Sequence, residues 1–216
     1  MILFSEVRCL KTVYSELFQF YKSSLSKSFW GLLGWFLLSA FIAYFISVGN
    51  PILVEWFMGQ IMSIFEESGL LDEGLSTFNL AVGLFFNNLQ ACIVVAITGF
   101  IPLFLPAVSI IGINGAMMGV MFAFIQISGQ STIAAFLSGI VPHGIFEIPA
   151  IILSGAIAFY ISISIFKKLD KMGNFSFKSA LKNAFLTFIW FCVPLLLIAA
   201  AIEAFVTPHI MGVAGF

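Results

Sequence analysis

Residues 133–166 read IAAFLSGIVPHGIFEIPAIILSGAIAFYISISIF, an apolar stretch of 34 residues that is interrupted at Pro142, Gly144 and Pro149. As one helix it would measure about 50 Å, whereas the hydrocarbon core of a bilayer is about 30 Å thick. The stretch is too apolar for a soluble surface and too long for one straight crossing. It therefore predicts a membrane span joined to a broken or re-entrant segment.

The composition places the rest of the chain in a membrane as well. Of its 216 residues, 61% are hydrophobic and only 9% are charged, and 27 are phenylalanine. A soluble domain carries about 25% charged residues, with which it covers its water-facing surface. These proportions exclude a soluble enzyme, a nucleic-acid-binding module and a disordered segment. They predict an integral membrane protein that contacts lipid and binds no nucleic acid.

The few charged residues predict how the chain is oriented. No lysine or arginine lies between Lys27 and Lys167, and the basic residues form two clusters: Arg8, Lys11, Lys22 and Lys27, then Lys167, Lys168, Lys171, Lys178 and Lys182. Because basic loops stay on the cytoplasmic side, both clusters are expected to face the cytoplasm. The acidic stretch around residues 55–73 is expected to lie outside.

The apolar segments and the basic clusters together predict an all-α, polytopic fold with about five transmembrane helices. The other spans are expected at residues 30–48, 78–109, 110–127 and 184–205. Both clusters lie on one side only if residues 133–166 cross once, so residues 133–141 should form a half-helix or re-entrant segment and residues 143–166 the crossing. The prediction is a multi-pass protein of the cell membrane with a cytoplasmic N-terminus and an extracellular C-terminus.

Two amphipathic helices are predicted at the membrane surface. Apolar residues recur every three or four positions through residues 1–29, which predicts a cytoplasmic helix on the inner leaflet, with a partner-binding helix as the alternative. A second amphipathic helix is expected over residues 52–67, where Leu53, Trp56, Phe57, Ile61, Ile64 and Phe65 oppose Glu55, Ser63 and Glu66. The predicted organisation is thus a cytoplasmic helix over 1–29 and a single transmembrane domain over 30–216.

Three ionisable side chains in the apolar segments are the main candidates for function. His143 and Glu147 lie four residues apart, on one face of a helix, and Glu203 lies near the same end of the last span. Polar groups inside lipid are costly, and they mark functional sites by default. His143, Glu147 and Glu203 therefore have two interpretations. They brace a broken helix through hydrogen bonds, or they form a proton relay or a substrate-binding pocket.

A metal site is a further interpretation of the same residues. His143 and Glu147 supply half of a zinc ligand set, but zinc takes three or four protein ligands and the sequence has no HExxH motif. His209 lies beyond the last span and contributes only if the chain folds back. No cofactor is expected, and no nucleophile motif or phosphate-binding loop argues for an enzyme.

Other polar and small residues are interpreted as helix contacts. Asn88 in the second span and Asn114 in the third are expected to bridge helices, and they remain candidates for the polar site. Gly115 and Gly119 form a G-x-x-x-G spacing that lets two helices approach closely. The sequence does not decide whether the partner helix belongs to this chain or to a second copy, so a homodimer is one expectation.

Several segments resemble the stage II sporulation protein M family of membrane proteins: FFNNLQACIVVAITGFIPLF, GINGAMMGVMFAF, GIVPHGIFEIPAIILSGAIAF and AAAIEAFVTP. The resemblance covers roughly residues 80–207, and PHGIFEIPA is its most specific element. It implies a shared membrane core with polar positions at Asn88, Asn114, His143, Glu147 and Glu203. It also implies a role like that of the family's namesake, which belongs to a membrane assembly with peptidoglycan-degrading partners during sporulation.

Three functions compete at this point. The first is a non-enzymatic scaffold that positions cell-envelope machinery, with other membrane or envelope proteins as partners. The second is a transporter, or a transporter subunit, for a small solute, ion or lipid that uses the His/Glu site at the broken helix. The third is an intramembrane metalloenzyme, which the incomplete ligand set disfavours.

Overall fold

The stretch at residues 133–166 forms the central helix of the molecule. The computed structural model describes residues 12–67, 76–170 and 175–214, and within these ranges every regular element is a helix. An apolar 18-residue window of each long helix shows how much of that helix the rest of the chain covers. In the central helix 67% of this window is buried, whereas in the other four long helices 11–33% is buried. The other helices therefore surround this one and present most of their own surface outward.

Seven helices follow one another in the described ranges: α1 (Thr12–Val48), α2 (Pro51–Glu67), α3 (Thr77–Phe100), α4 (Leu105–Ile127), α5 (Thr132–Leu169), α6 (Phe177–Phe205) and α7 (Thr207–Ala214). Five of them, α1 and α3 to α6, are long and apolar enough to cross a bilayer. This confirms the prediction of an all-α membrane protein with five spans.

Serine residues fix the starts of three spans. The side-chain oxygens of Ser76, Ser131 and Ser176 each accept a hydrogen bond, 3.2–3.3 Å long, from the backbone N–H three residues further on. Each bond satisfies one of the N–H groups that the first turn of a helix leaves unpaired. The starts of α3, α5 and α6 are therefore encoded locally.

Contacts between the helices determine their relative directions. Phe36 and Ala40 of α1 meet Gly115 and Gly119 of α4 in the same order, so α1 and α4 run parallel. A parallel pair with α3 between them in sequence requires that α2 does not cross. This agrees with the prediction that residues 52–67 form a surface helix.

The remaining spans alternate in direction. Cys192 of α6 contacts Ala150 of α5, and Glu203 of α6 lies beside Glu147, so α5 and α6 run antiparallel. Lys167 and Lys168 end α5 while Lys178 and Lys182 begin α6, which brings these four lysines to one end of the bundle. Lys171 lies outside the described residues.

The segment before the first span differs from the predicted surface helix. Thr12–Val48 is one continuous helix that contains a π-helical turn at Tyr21–Leu25, so the described part of the predicted 1–29 helix runs directly into the span. Its aromatic residues pack on the chain's own spans: Tyr14 contacts Trp190, and Phe20 contacts Tyr160. Residues 1–11 lie outside the described residues.

Helix α2 is amphipathic as expected, and only part of its apolar surface packs on the rest of the chain. Val54 and Ile61 are buried, and Val54 packs against Val120 and Ala123 of α4. Trp56 and Ile64, which the periodicity assigned to the apolar face, are 60% and 62% exposed. The difference arises because α2 rests on α4 along a single narrow stripe and leaves its other apolar side chains outward.

The structure shows no separate half-helix or re-entrant segment over the predicted residues 133–141, because these residues belong to the same helix as the crossing. Residues 132–135 are α-helical, Phe136–Ile140 form a π-helical turn, and Val141–Leu169 continue as α-helix, so α5 is one helix of 38 residues. A proline has no N–H and clashes with the carbonyl four residues earlier. The wider π turn just before Pro142 absorbs this conflict without breaking the helix.

Candidate functional site

His143 and Glu147 face the same side of α5, one turn apart. His143 comes directly after Pro142, three residues beyond the end of the π turn. The side chains of His143 and Glu147 are both half-buried. Because residues four apart on a helix lie one above the other, the imidazole and the carboxylate share a single face. The local irregularity at Phe136–Ile140 thus sets the rotation at which this face meets its neighbours.

Glu203 completes the group from α6. This helix also contains a π turn, at Phe188–Cys192, with Pro194 two residues after it, so α5 and α6 adapt to an internal proline in the same way. The ligand atoms of His143, Glu147 and Glu203 all lie within 4.8 Å of one another. The structure therefore brings together the three ionisable residues that the sequence singled out.

Few hydrogen-bond or ion-pair partners surround His143, Glu147 and Glu203. The Nδ1 atom of His143 is buried and has no hydrogen-bond partner. Among the described residues, no lysine or arginine forms an ion pair with Glu147 or Glu203, and the lysines that end α5 lie 20 residues from Glu147, or about 30 Å along the helix. Two carboxyl groups therefore lie close together in an apolar bundle, and among the described residues His143 is the basic side chain beside them.

A cavity of about 270 Å³ adjoins His143 and Glu147. Its polar lining comes from Asn114, His143 and Glu147, and its other walls come from α1, α2, α4 and α5: Phe36, Ile61, Met117, Met118, Met121, Ile140, Gly144, Ile148 and Ile151. It is large enough for several water molecules or a small ligand. The lining of the cavity combines these three polar side chains with flexible methionine side chains of α4.

The two asparagines occupy different places. Asn114 lines the cavity, and its Nδ2 donates a 2.9 Å hydrogen bond to the carbonyl of Ile110 in its own helix. Asn88 is half-buried on the face of α3 that carries Leu84 and Cys92, one turn to either side. Asn114 thus belongs to the cavity, whereas Asn88 does not line it.

Gly115 and Gly119 pack against a helix of the same chain. A Cβ on Gly115 would lie 3.0 Å from the carbonyl carbon of Phe36, and one on Gly119 would lie 2.9 Å from the backbone nitrogen of Tyr44. Two further bonds join the same helices: Trp35 Nε1 donates to the Val108 carbonyl at 2.9 Å, and the Tyr44 hydroxyl bonds Gln126. Because α1 covers the glycine face, that face gives no support for a homodimer.

His209 stays outside the group. Helix α7 folds back so that Met211 lies near Gly139 of the π turn in α5, yet the His209 side chain is exposed. Of the described residues, only His143, Glu147 and Glu203 form a group of three or more ligands near enough to share a metal ion. The sequence named two of these three as metal candidates.

The sequence interpretation missed the apolar walls of the site. Met117, Met118 and Met121 lie three, four and seven residues after Asn114, which places them on its face of α4. From that spacing the three methionines could have been predicted to lie beside Asn114. The contribution of Ile61 could not be found in this way, because it depends on how α2 packs over α4.

A model of the family described as stage II sporulation protein M matches residues 32–208, which is more than three quarters of the chain. The match includes α3, α4, α5 and α6 entire, and hence every residue of the polar group. Comparison with curated proteins and with solved structures yields no significant match.

Proposed function

Because the chain belongs to the stage II sporulation protein M family, as the match over residues 32–208 shows, we propose that it is a non-enzymatic scaffold in the cell membrane that assembles or positions cell-envelope machinery. The observation that carries this proposal is how little of the described chain lies outside helices. Two residues connect α1 to α2, and four connect α3 to α4 and α4 to α5. Such short connections leave no soluble catalytic domain within the described ranges.

The outer surface of the bundle supports the same proposal. Phe41 and Phe45 of α1 are 62% and 58% exposed, and their rings contact each other at 4.6 Å between centroids. Phe86 of α3 and Phe185 of α6 are 60% and 65% exposed. Apolar surface of this kind faces lipid or the spans of other membrane proteins, which are the partners that a scaffold needs.

Photo-cross-linking in the native membrane tests the scaffold. A photoreactive amino acid replaces Phe41 in one strain and Phe185 in another, on helices whose exposed faces differ. We expect at least one position to give a discrete protein adduct that contains an envelope-remodelling enzyme, and deletion of the gene to displace that enzyme from its normal location. Adducts with lipid alone, or an unchanged location of the enzyme after deletion, would argue against a scaffold.

A second function, transport of a small solute or ion, is favoured by the cavity beside His143 and Glu147. Polar side chains at irregular points in membrane helices are typical of transporter sites. Purified chain in liposomes loaded with a proton- or cation-sensitive dye gives the test. Flux above that of protein-free liposomes, lost in Glu147→Gln, supports transport; equal flux in both removes it.

A further inference from the structure

The polar group brings two carboxyl groups and one imidazole together, without a lysine or arginine beside them among the described residues. Glu147 and Glu203 lie with their oxygens within 4.8 Å of each other and of a His143 nitrogen. At that separation two ionised carboxylates repel, and a proton on one of them, a charged imidazole or a bound cation relieves the repulsion. No lysine or arginine occurs between Lys27 and Lys167, and Lys182 lies 21 residues, or about 31 Å along α6, from Glu203.

The histidine adds an independent observation. A neutral imidazole has one donor and one acceptor nitrogen, and buried polar atoms in native proteins nearly always have a partner. The Nδ1 atom of His143 is buried without one. A metal ion bound in the group would neutralise the two carboxylates, and where the imidazole binds it through Nδ1 that atom also gains a partner.

From this geometry we propose that His143, Glu147 and Glu203 bind one divalent transition-metal ion of the Zn²⁺ class. Zinc binds nitrogen and oxygen ligands at about 2.0–2.2 Å, which in a tetrahedral site separates the ligand atoms by about 3.4 Å. Atoms within 4.8 Å reach that spacing by small rotations of the glutamate side chains. The site has three protein ligands and leaves a fourth position for a water molecule.

The ligand set selects among metal classes. Calcium takes six to eight oxygen ligands, and magnesium keeps an octahedral shell that is mostly water and oxygen, so neither suits an imidazole with two carboxylates. Copper(I) prefers sulfur, and the two buried thiols, Cys92 and Cys192, are not members of the group. Imidazole with carboxylate suits Zn²⁺, and Co²⁺ can replace it as a spectroscopic probe.

The bound ion would have a defined structural effect. His143 and Glu147 come from α5 and Glu203 from the last turn of α6, so the metal would join the two helices at the end of the bundle opposite the lysines. It would hold α6 in place just before the chain turns at Val206 into α7. This site stands apart from the scaffold role, because the same ligands would bind metal whether or not the protein has partners.

Metal content of the full chain in lipid nanodiscs tests the proposal. The protein is stripped with a chelator, incubated with Zn²⁺, desalted, and measured for metal per chain. We expect about one zinc ion in the wild-type protein, and affinity weakened more than about 100-fold in Glu147→Gln and Glu203→Gln. Glu55→Gln on α2 and His209→Asn on α7 are the matched controls, because both side chains are exposed, and they should bind zinc like the wild type.

Three further measurements keep the test decisive if a variant folds poorly. Circular dichroism and thermal unfolding report the fold, and zinc should raise the melting temperature of the wild type and of both controls only. X-ray absorption of the wild-type protein needs no variant and should show only nitrogen and oxygen ligands at about 2.0–2.2 Å. Folded wild-type protein without zinc, equal binding by Glu147→Gln, or a sulfur-containing shell would each overturn the site.

Discussion

Gly119→Ala tests whether the glycine face of α4 exists to receive α1. The added methyl would lie 2.9 Å from the Tyr44 nitrogen and 3.0 Å from the Ala40 carbonyl carbon. Carbon atoms in good contact are about 3.5–4.0 Å apart. Because the crowded atoms belong to the backbone of α1, no side-chain rotation relieves the contact, and α1 must move away by roughly 0.5–1 Å.

The expected cost follows from that displacement. A gap of about 0.5–1 Å forfeits a quarter to a half of the dispersion energy of each atom pair across the interface, and over-packing in a tight core costs about 1–3 kcal/mol. We expect a loss of about 2 kcal/mol in the free energy of unfolding, or about 30-fold in the ratio of folded to unfolded protein. Gly115→Ala should cost about as much. The double variant should cost less than the sum, because one displacement of α1 makes room for both methyls.

Equilibrium unfolding of the purified chain in mixed micelles provides the assay, with Gly34→Ala as the control. Gly34 lies on α1 with nothing within 4 Å of an added Cβ, so its substitution should leave stability unchanged or raise it by up to about 1 kcal/mol. If Gly119→Ala is as stable as Gly34→Ala, the close contact between α1 and α4 does not contribute to stability. If the losses in unfolding free energy of Gly115→Ala and Gly119→Ala add up in the double variant, the two methyls are not accommodated by one shared displacement of α1.

Further predictions concern helix contacts and orientation. Ser162→Ala removes the 2.9 Å hydrogen bond from Ser162 Oγ to the carbonyl of Gly99, and it should lower the free energy of unfolding by about 1 kcal/mol in the same assay; an unchanged value would mean that the bond adds nothing. In a variant without native cysteines, a cysteine at position 66 should react with a membrane-impermeant thiol reagent in intact cells. One at position 178 should react only after the cells are opened, and labelling of both in intact cells would refute the orientation.

Much of the fold was predictable because lipid imposes simple constraints. The five spans follow from hydropathy and length, and the surface position of α2 follows from counting crossings against the basic clusters. The meeting of His143, Glu147 and Glu203 followed from the same topology, since it placed all three near one end of antiparallel spans. Membership of the family agrees with the resemblance of PHGIFEIPA and IEAFVTP.

The parts that could not be predicted depend on tertiary packing. Periodicity identifies the apolar residues of a helix, but it does not show which of them pack against the rest of the protein. The burial of Val54 and the exposure of Trp56 could therefore not be predicted. The glycines of α4 indicate a close contact but not its partner, which is α1. Prolines predict an irregularity in a helix. Whether the helix breaks there or continues through a π turn, as it does before Pro142, depends on the neighbouring helices.

We expect His143, Glu147 and Glu203 to do more than hold α5 and α6 together: the function of the protein should depend on the charge of this group. Replacement of Glu147 by glutamine in the chromosomal gene tests it most directly, with Glu55→Gln as the control and the envelope defect of the deletion strain as the measured quantity. Glutamine keeps the size and hydrogen bonding of the side chain and removes its charge. We expect the Glu147→Gln protein to reach the membrane at the wild-type level and to melt like the metal-free wild type, yet to reproduce the deletion defect. Full rescue by Glu147→Gln would contradict this expectation.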